Sequence, residues 1–153
     1  MNLAAPGDVI VLKNGIWKDV AIKFTAKGTE DAPIVLRAET PGKVSIEGQS
    51  YVKFGGEYLT ISGLHFKNGY TTEKAVINFR LDKETVANHC RVTNCVIENY
   101  NQLRRDRKDH WVEFWGRHNQ MDHCYLAGKS NEGPTMRVDI TGYRNINNYH
   151  KII

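Results

Sequence analysis

Apolar residues along this chain come in short runs with a two-residue period, and the polar stretches between them are rich in residues that turn a backbone. The runs VIVL (9–12), VAIKF (20–24), IVLRA (34–38), VSI (44–46) and VKF (52–54) are heavy in β-branched side chains, which suit a pleated, half-buried surface. KNG, KGTEDAP and ETPGK separate them, supplying the Gly, Pro, Asn and Asp that tight turns require. Strand and turn therefore account for nearly the whole chain, and the scattered Gly, Asn and Asp make helix a poor alternative.

From residue 61 a six-residue phrase recurs. It reads ISGLHF at 61–66, VTNCVI at 92–97, MDHCYL at 121–126 and, more weakly, INNYHK from Ile146. The template is apolar, polar, polar, apolar, any, apolar. Ile61, Val92, Met121 and Ile146 fill the first slot, Leu64, Cys95, Cys124 and Tyr149 the second, and Phe66, Ile97 and Leu126 the third, where the fourth copy has Lys151. The copies lie 31, 29 and 25 residues apart, a repeat length typical of stacked architectures. Two apolar positions two apart mark a strand, and the polar pair before them marks a bend. The unit fits one coil of a right-handed, single-stranded parallel β-helix, with coils about 4.8 Å apart so that equivalent side chains stack in columns. The expected fold is thus all-β, a single β-helix domain over residues 1–153. Ile61, Val92, Met121 and Ile146 should form one interior column, with Cys95 and Cys124 neighbours in another. A β-sandwich could use the same strands but would leave the recurring phrase unexplained.

Composition narrows the picture only a little. With 153 residues, 41% hydrophobic and 25% charged, the chain suits one globular domain and holds no apolar run long enough to span a membrane. A formal charge of +4 favours an anionic partner without choosing among them. Cys90, Cys95 and Cys124 show no CxxC spacing, so buried free thiols are expected rather than zinc. The six histidines are scattered, and HExxH, GxSxG and Walker-type loops are missing. The start, MNLAAPGDVIVL, lacks the features of a signal peptide.

Two polar segments are candidates for binding. LRRDRKDHW, residues 103–111, holds the densest charge of the chain and reads as an exposed loop. It lacks the interleaved aromatics of a nucleic-acid surface, and no nucleic acid is expected as partner. GKSNEGPT, residues 128–135, is a polar turn that clusters Lys129, Asn131 and Glu132, with Arg137 two residues past it. A tight turn that needs Gly and Asn for its backbone explains most of the same letters. In WVEFW, alternation sets Trp111, Glu113 and Trp115 on one face and Val112 and Phe114 on the other, so a tryptophan-bearing face is expected to be partly exposed.

Taken in order, PGDVIVLKNGIWKD, APIVLRAETPGKVSIEG, GEYLTISGLHFKNGY, CRVTNCVIENYN and NQMDHCYLAGKSNEGPT resemble the N-terminal part of the polysaccharide lyase family that contains chondroitinase B and alginate lyases. The likeness runs from about Pro6 to Thr135. It implies a secreted or periplasmic β-helix enzyme that cuts acidic polysaccharides by β-elimination. In such lyases sugar lies along a groove made by strand faces and the turns beside them, which makes Lys129, Asn131 and Arg137 the candidate substrate contacts and sets the 103–111 loop either beside a groove for an anionic sugar chain or simply in solvent. In that family calcium, held by an Asn and a Glu-x-Glu pair, neutralises the uronate carboxylate, a Lys removes the C5 proton and an Arg protonates the O4 leaving group. No Glu-x-Glu occurs in this sequence, and the family's GExEIISxKS-like motif lies beyond the matched stretch, so no catalytic or metal-binding residue is assigned. With this resemblance the chain is expected to be roughly the N-terminal half of a lyase catalytic domain, a truncated β-helix with an open last coil, the alternative being a naturally short, capped protein. The expected function is a portion of a calcium-assisted lyase acting on alginate or, next, chondroitin or dermatan sulphate. A non-catalytic module that binds acidic polysaccharide is the alternative, and a purely structural stacking module a third.

Overall fold

The computed structural model describes residues 4–140 and 148–153, and within them the named strands pair in parallel with strands one coil away. The first sheet stacks β1 (Val9–Leu12), β4 (Ile34–Ala38), β7 (Leu59–Ser62), β11 (Arg91–Thr93), β14 (Gln120–Asp122) and β17 (Lys151–Ile152). The second stacks β2 (Gly15–Lys18), β5 (Val44–Gln49), β8 (Leu64–Tyr70), β12 (Val96–Glu98) and β15 (Tyr125–Ala127). The third runs through β3 (Ala21–Lys27), β6 (Tyr51–Glu57), β9 (Ala75–Asn78), β13 (His110–Phe114) and β16 (Met136–Val138), with the short β10 (Ala87–Asn88) beside the far end of β6. One strand from each sheet makes one coil, which is the parallel β-helix expected from the repeat. Among the described residues no helix is long and apolar enough to cross a membrane.

The recurring phrase is the corner between the first two sheets. Register aligns Ile10, Leu36, Ile61, Val92 and Met121 across five coils. Leu36, Ile61 and Val92 are fully buried and Met121 nearly so, each such side chain contributing about 1.5–3 kcal/mol. The polar pair then turns the chain through a left-handed residue: Gly63, Asn94 and His123 have φ of 80°, 53° and 50°. Glycine takes that conformation at no steric cost, and Asn tolerates it better than most side chains. The turn aims Leu64 and Cys95 back into the core, and Cys124 packs against it half-buried. Register sets Val96 beside Tyr125, which makes Cys95 and Cys124 neighbours in adjacent coils, and all three thiols are free.

The fourth copy of the phrase requires correction. Ile146 lies outside the described residues, and the position paired with Met121 is taken by Ile152. The letters INNY match the template, but the register follows a different marker. Tyr58, His89, His118 and Tyr149 each precede their column residue by three positions, and their rings stack at 4.8, 4.6 and 5.2 Å between centroids. Counting from Tyr149 leads to Ile152.

Inside the third sheet a column of phenylalanines replaces the aliphatic one. Phe24 registers with Phe54, and the Phe54, Phe79 and Phe114 rings follow at centroid separations of 4.7 and 4.5 Å. This column fixes which residues of the third sheet point outward.

Candidate binding groove

Strand alternation turns Val52, Ile77 and Val112 inward and their successors outward, and register lines up Lys23, Lys53, Asn78, Glu113 and Arg137 on the outer face of the third sheet. From Lys53 to Arg137 this outer column forms the floor of a groove of about 530 Å³.

One wall is an insertion. β6 pairs with β9 over its first part and with β10 at its end, so the chain between them, Phe79 to Val86, leaves the sheet. The Asp82 carboxylate closes the insertion as an Asx turn, accepting from the backbone N–H of Glu84 and Thr85 at 2.9 and 2.8 Å. The Arg80 guanidinium lies over the Trp115 ring at 4.1 Å, which ties the insertion to the neighbouring coil. Gly55 lets the returning backbone approach, because a Cβ there would sit 2.5 Å from the Thr85 carbonyl oxygen. Trp111 is fully buried and Trp115 is 9% exposed, so the tryptophan-bearing face expected to be partly open is covered.

On the other side, Glu73 and Lys74 lead into a second hollow of about 250 Å³ that includes Arg107 and Lys108 of the basic loop. That loop is exposed from Leu103 to Lys108, and its Arg107 and Lys108 line this second hollow, not the groove itself.

The groove is lined by five cationic side chains, Lys53, Lys74, Arg80, Lys83 and Arg137, and by four acids. Three of the acids are engaged: Glu73 with Lys53 at 3.3 Å, Asp139 with Arg137 at 3.0 Å, and Asp82 with its own turn. Glu113 accepts from the Trp115 indole N–H at 2.8 Å through one oxygen. Among the described residues Lys74 and Lys83 have no carboxylate partner. His110 lies 3.3 Å from Arg137, and burial lowers its pKa and favours the neutral ring.

The structure separates the three substrate contacts predicted from sequence. Arg137 lines the groove. Lys129 instead pairs with Asp109 at 3.1 Å, with side chains 7% and 0% exposed. Asn131 donates to the same carboxylate at 3.0 Å and to the Arg107 carbonyl at 2.9 Å, and Gln102 donates to the other Asp109 oxygen at 2.9 Å. Lys129 and Asn131 thus hold the basic loop in place. Sequence reasoning missed Lys53, Asn78 and Arg80. Each stands alone in its own segment, and only register brings them together. The one available signal was Glu113, a carboxylate set between two tryptophans.

The calcium implied by the resemblance does not fit these residues. The sequence has no Glu-x-Glu, and among the described residues no three His, Cys, Asp or Glu side chains are gathered to hold a metal. No step of chemistry within this chain is assigned to calcium.

Comparison with curated proteins returns no match. The family profile described as chondroitinase B matches residues 1–153. Among solved structures, the family 6 alginate lyase AlyGC is 48% identical with a TM-score of 0.95, covering 98% of this chain and 21% of its own. A mannuronic acid specific family 6 lyase from human gut microbiota is 37% identical, with a TM-score of 0.83 over 90% of this chain and 32% of its own. The family 6 lyase Pedsa3628 from Pseudopedobacter saltans is 32% identical, with a TM-score of 0.87 over 99% and 33%. The chain spans about a fifth to a third of these enzymes' length. With the whole chain matched by one family profile and by folds that reproduce its coils, this protein belongs to the chondroitinase B family of polysaccharide lyases.

Proposed function

We propose that this chain is a portion of a polysaccharide lyase that acts on an acidic uronate polymer, alginate first and chondroitin or dermatan sulphate second. The third-sheet groove is where the polymer lies. The observation that carries this reading is the column floor flanked by Lys74, Arg80, Lys83 and Arg137, a geometry that suits a linear polyanion bearing hydroxyls. The mannuronic acid specificity of the 37% identical lyase supports the order of substrates. The parent enzyme is expected outside the cytoplasm, where such polymers occur. Its calcium-assisted β-elimination would use residues that this chain does not carry. Here Arg137, Lys74 and Lys83 take uronate carboxylates, Lys53 steadies the floor through Glu73, and Lys129 and Asn131 hold the loop beside the groove.

The missing Glu-x-Glu favours, for this chain on its own, binding without cleavage. Two measurements on the purified chain test this. Calorimetric titration with oligomannuronate should show binding that weakens as salt rises. Absorbance of the unsaturated uronate product should stay flat with calcium and with EDTA alike. A calcium-dependent rise would place the chemistry inside these residues, and absence of binding to any acidic polymer would remove the groove assignment.

A further inference from the structure

Two acceptors in the groove floor have no donor. Asn78 Oδ1 and Glu113 Oε2 are buried and have no hydrogen-bond partner among the described residues, in side chains only 8% and 3% exposed. They belong to adjacent steps of one column. A buried acceptor left unpaired costs about 1–3 kcal/mol, and two side by side in a groove call for a donor from outside the chain. Neighbours in the column are cationic: Lys53 precedes Asn78 and Arg137 follows Glu113, each about 4.8 Å away along the stack. Two fixed positive charges at that range disfavour a metal ion between them. Neutral O–H donors suffer no such repulsion, and a uronate residue offers vicinal hydroxyls together with a carboxylate for the flanking cations.

We propose that Asn78 and Glu113 form a hydroxyl-reading subsite that selects uronate polymers with free vicinal hydroxyls over O-acetylated or O-sulphated ones. This rests on the groove being the polymer's seat. An ester at the hydroxyl removes the donor and leaves both acceptors unpaired. A sulphate also sets a second negative charge against Glu113. Sites built to bond a substrate hydroxyl reject analogues that lack it far more strongly than apolar pockets reject a missing methylene.

The test is calorimetric titration of the chain at fixed ionic strength with oligomannuronate and with the same oligomer chemically O-acetylated. The wild-type chain should bind the unsubstituted oligomer about tenfold or more tighter than the acetylated one. In Glu113→Gln, which keeps an oxygen for the Trp115 indole and places an amide N–H where Oε2 stood, the ratio should fall towards one. Asn78→Leu should weaken only the unsubstituted oligomer. The wild-type comparison stands by itself if either variant fails to fold. Equal affinities in the wild type would overturn the subsite and leave the groove assignment intact, the result expected if the two side chains satisfy one another. A preference that survives in both variants would assign selection to other residues and also overturn it. Failure of every acidic polymer to bind would overturn the groove and the subsite together.

Discussion

At the scale of single residues, the same letters can be spent on binding or on folding, and burial decides which. Lys129 and Arg137 are both cations near one turn. Lys129 faces a fully buried carboxylate, whereas the Arg137 side chain is about half exposed. Removing one member of a buried pair strands the other charge, at about 3–5 kcal/mol. Lys129→Met should therefore lower stability in urea by that order, while Arg137→Ala, which leaves its partner Asp139 nearer to solvent, should lower it by less and weaken polymer binding. The reverse pattern would restore Lys129 as a sugar contact. Asp122 is a similar case on the first sheet. Its carboxylate accepts two bonds from Arg91 at 2.7 and 2.8 Å, one from Thr93 at 2.6 Å and one from Gln120, and the ring of His123 lies 2.7 Å away. The Arg91 guanidinium holds this carboxyl well below the usual carboxylate range. A pKa depressed by folding contributes stability above the unfolded value, near 3.9, and loses it as pH falls through the folded value. Asp122→Asn should cost about 1.5–3 kcal/mol at neutral pH. Urea titrations should show the gap between the two proteins closing below about pH 4.

At the scale of elements, the strands with uninterrupted β-branched runs were legible and the interruptions were not. Val9–Leu12 and Ile34–Ala38 fall where the pattern put them, because alternation alone specifies a strand with one buried face. Gly15–Lys18 and Ala75–Asn78 escaped because a glycine opens one and a continuous apolar run followed by Asn makes up the other. The insertion from Phe79 to Val86 gave no sign at all: its turn is made by the Asp82 side chain rather than by Gly or Pro. The fourth repeat lies six residues beyond its apolar lettering, at Ile152 instead of Ile146, because register follows the stacked rings that end at Tyr149. Groove residues were illegible for the same reason, since their column depends on how many residues each insertion adds between coils. The insertion also makes a local prediction. Its clamp is the Arg80 guanidinium over Trp115, worth about 0.5–2 kcal/mol. Arg80→Ala should speed amide exchange in residues 81–86 while leaving Val112 and Phe114, in the buried strand beside it, at wild-type rates. Equal acceleration in both would mean that the insertion and the strand open as one unit.

At the scale of the molecule, a β-helix is a nearly one-dimensional stack in which each coil touches only its neighbours. A ligand lying along the third sheet should therefore stabilise the coils it crosses more than the rest. The groove floor runs from Lys53 through Asn78 and Glu113 to Arg137, so it draws on β6, β9, β13 and β16. β1 lies on the first sheet of an earlier coil and pairs with β4. Ligand at a hundred times its dissociation constant adds about 2.7 kcal/mol to a state that binds it, enough to slow exchange through the openings it blocks by about a hundredfold. Hydrogen exchange with saturating oligomannuronate should then show protection concentrated in β6, β9, β13 and the insertion, with β1 unchanged. Protection confined to the first sheet would move the polymer to the other face of the helix. Uniform protection across all coils would mean that the stack unfolds as a single unit, with ligand energy shared along the core columns of phenylalanine and of Leu36, Ile61 and Val92 rather than kept where the sugar binds.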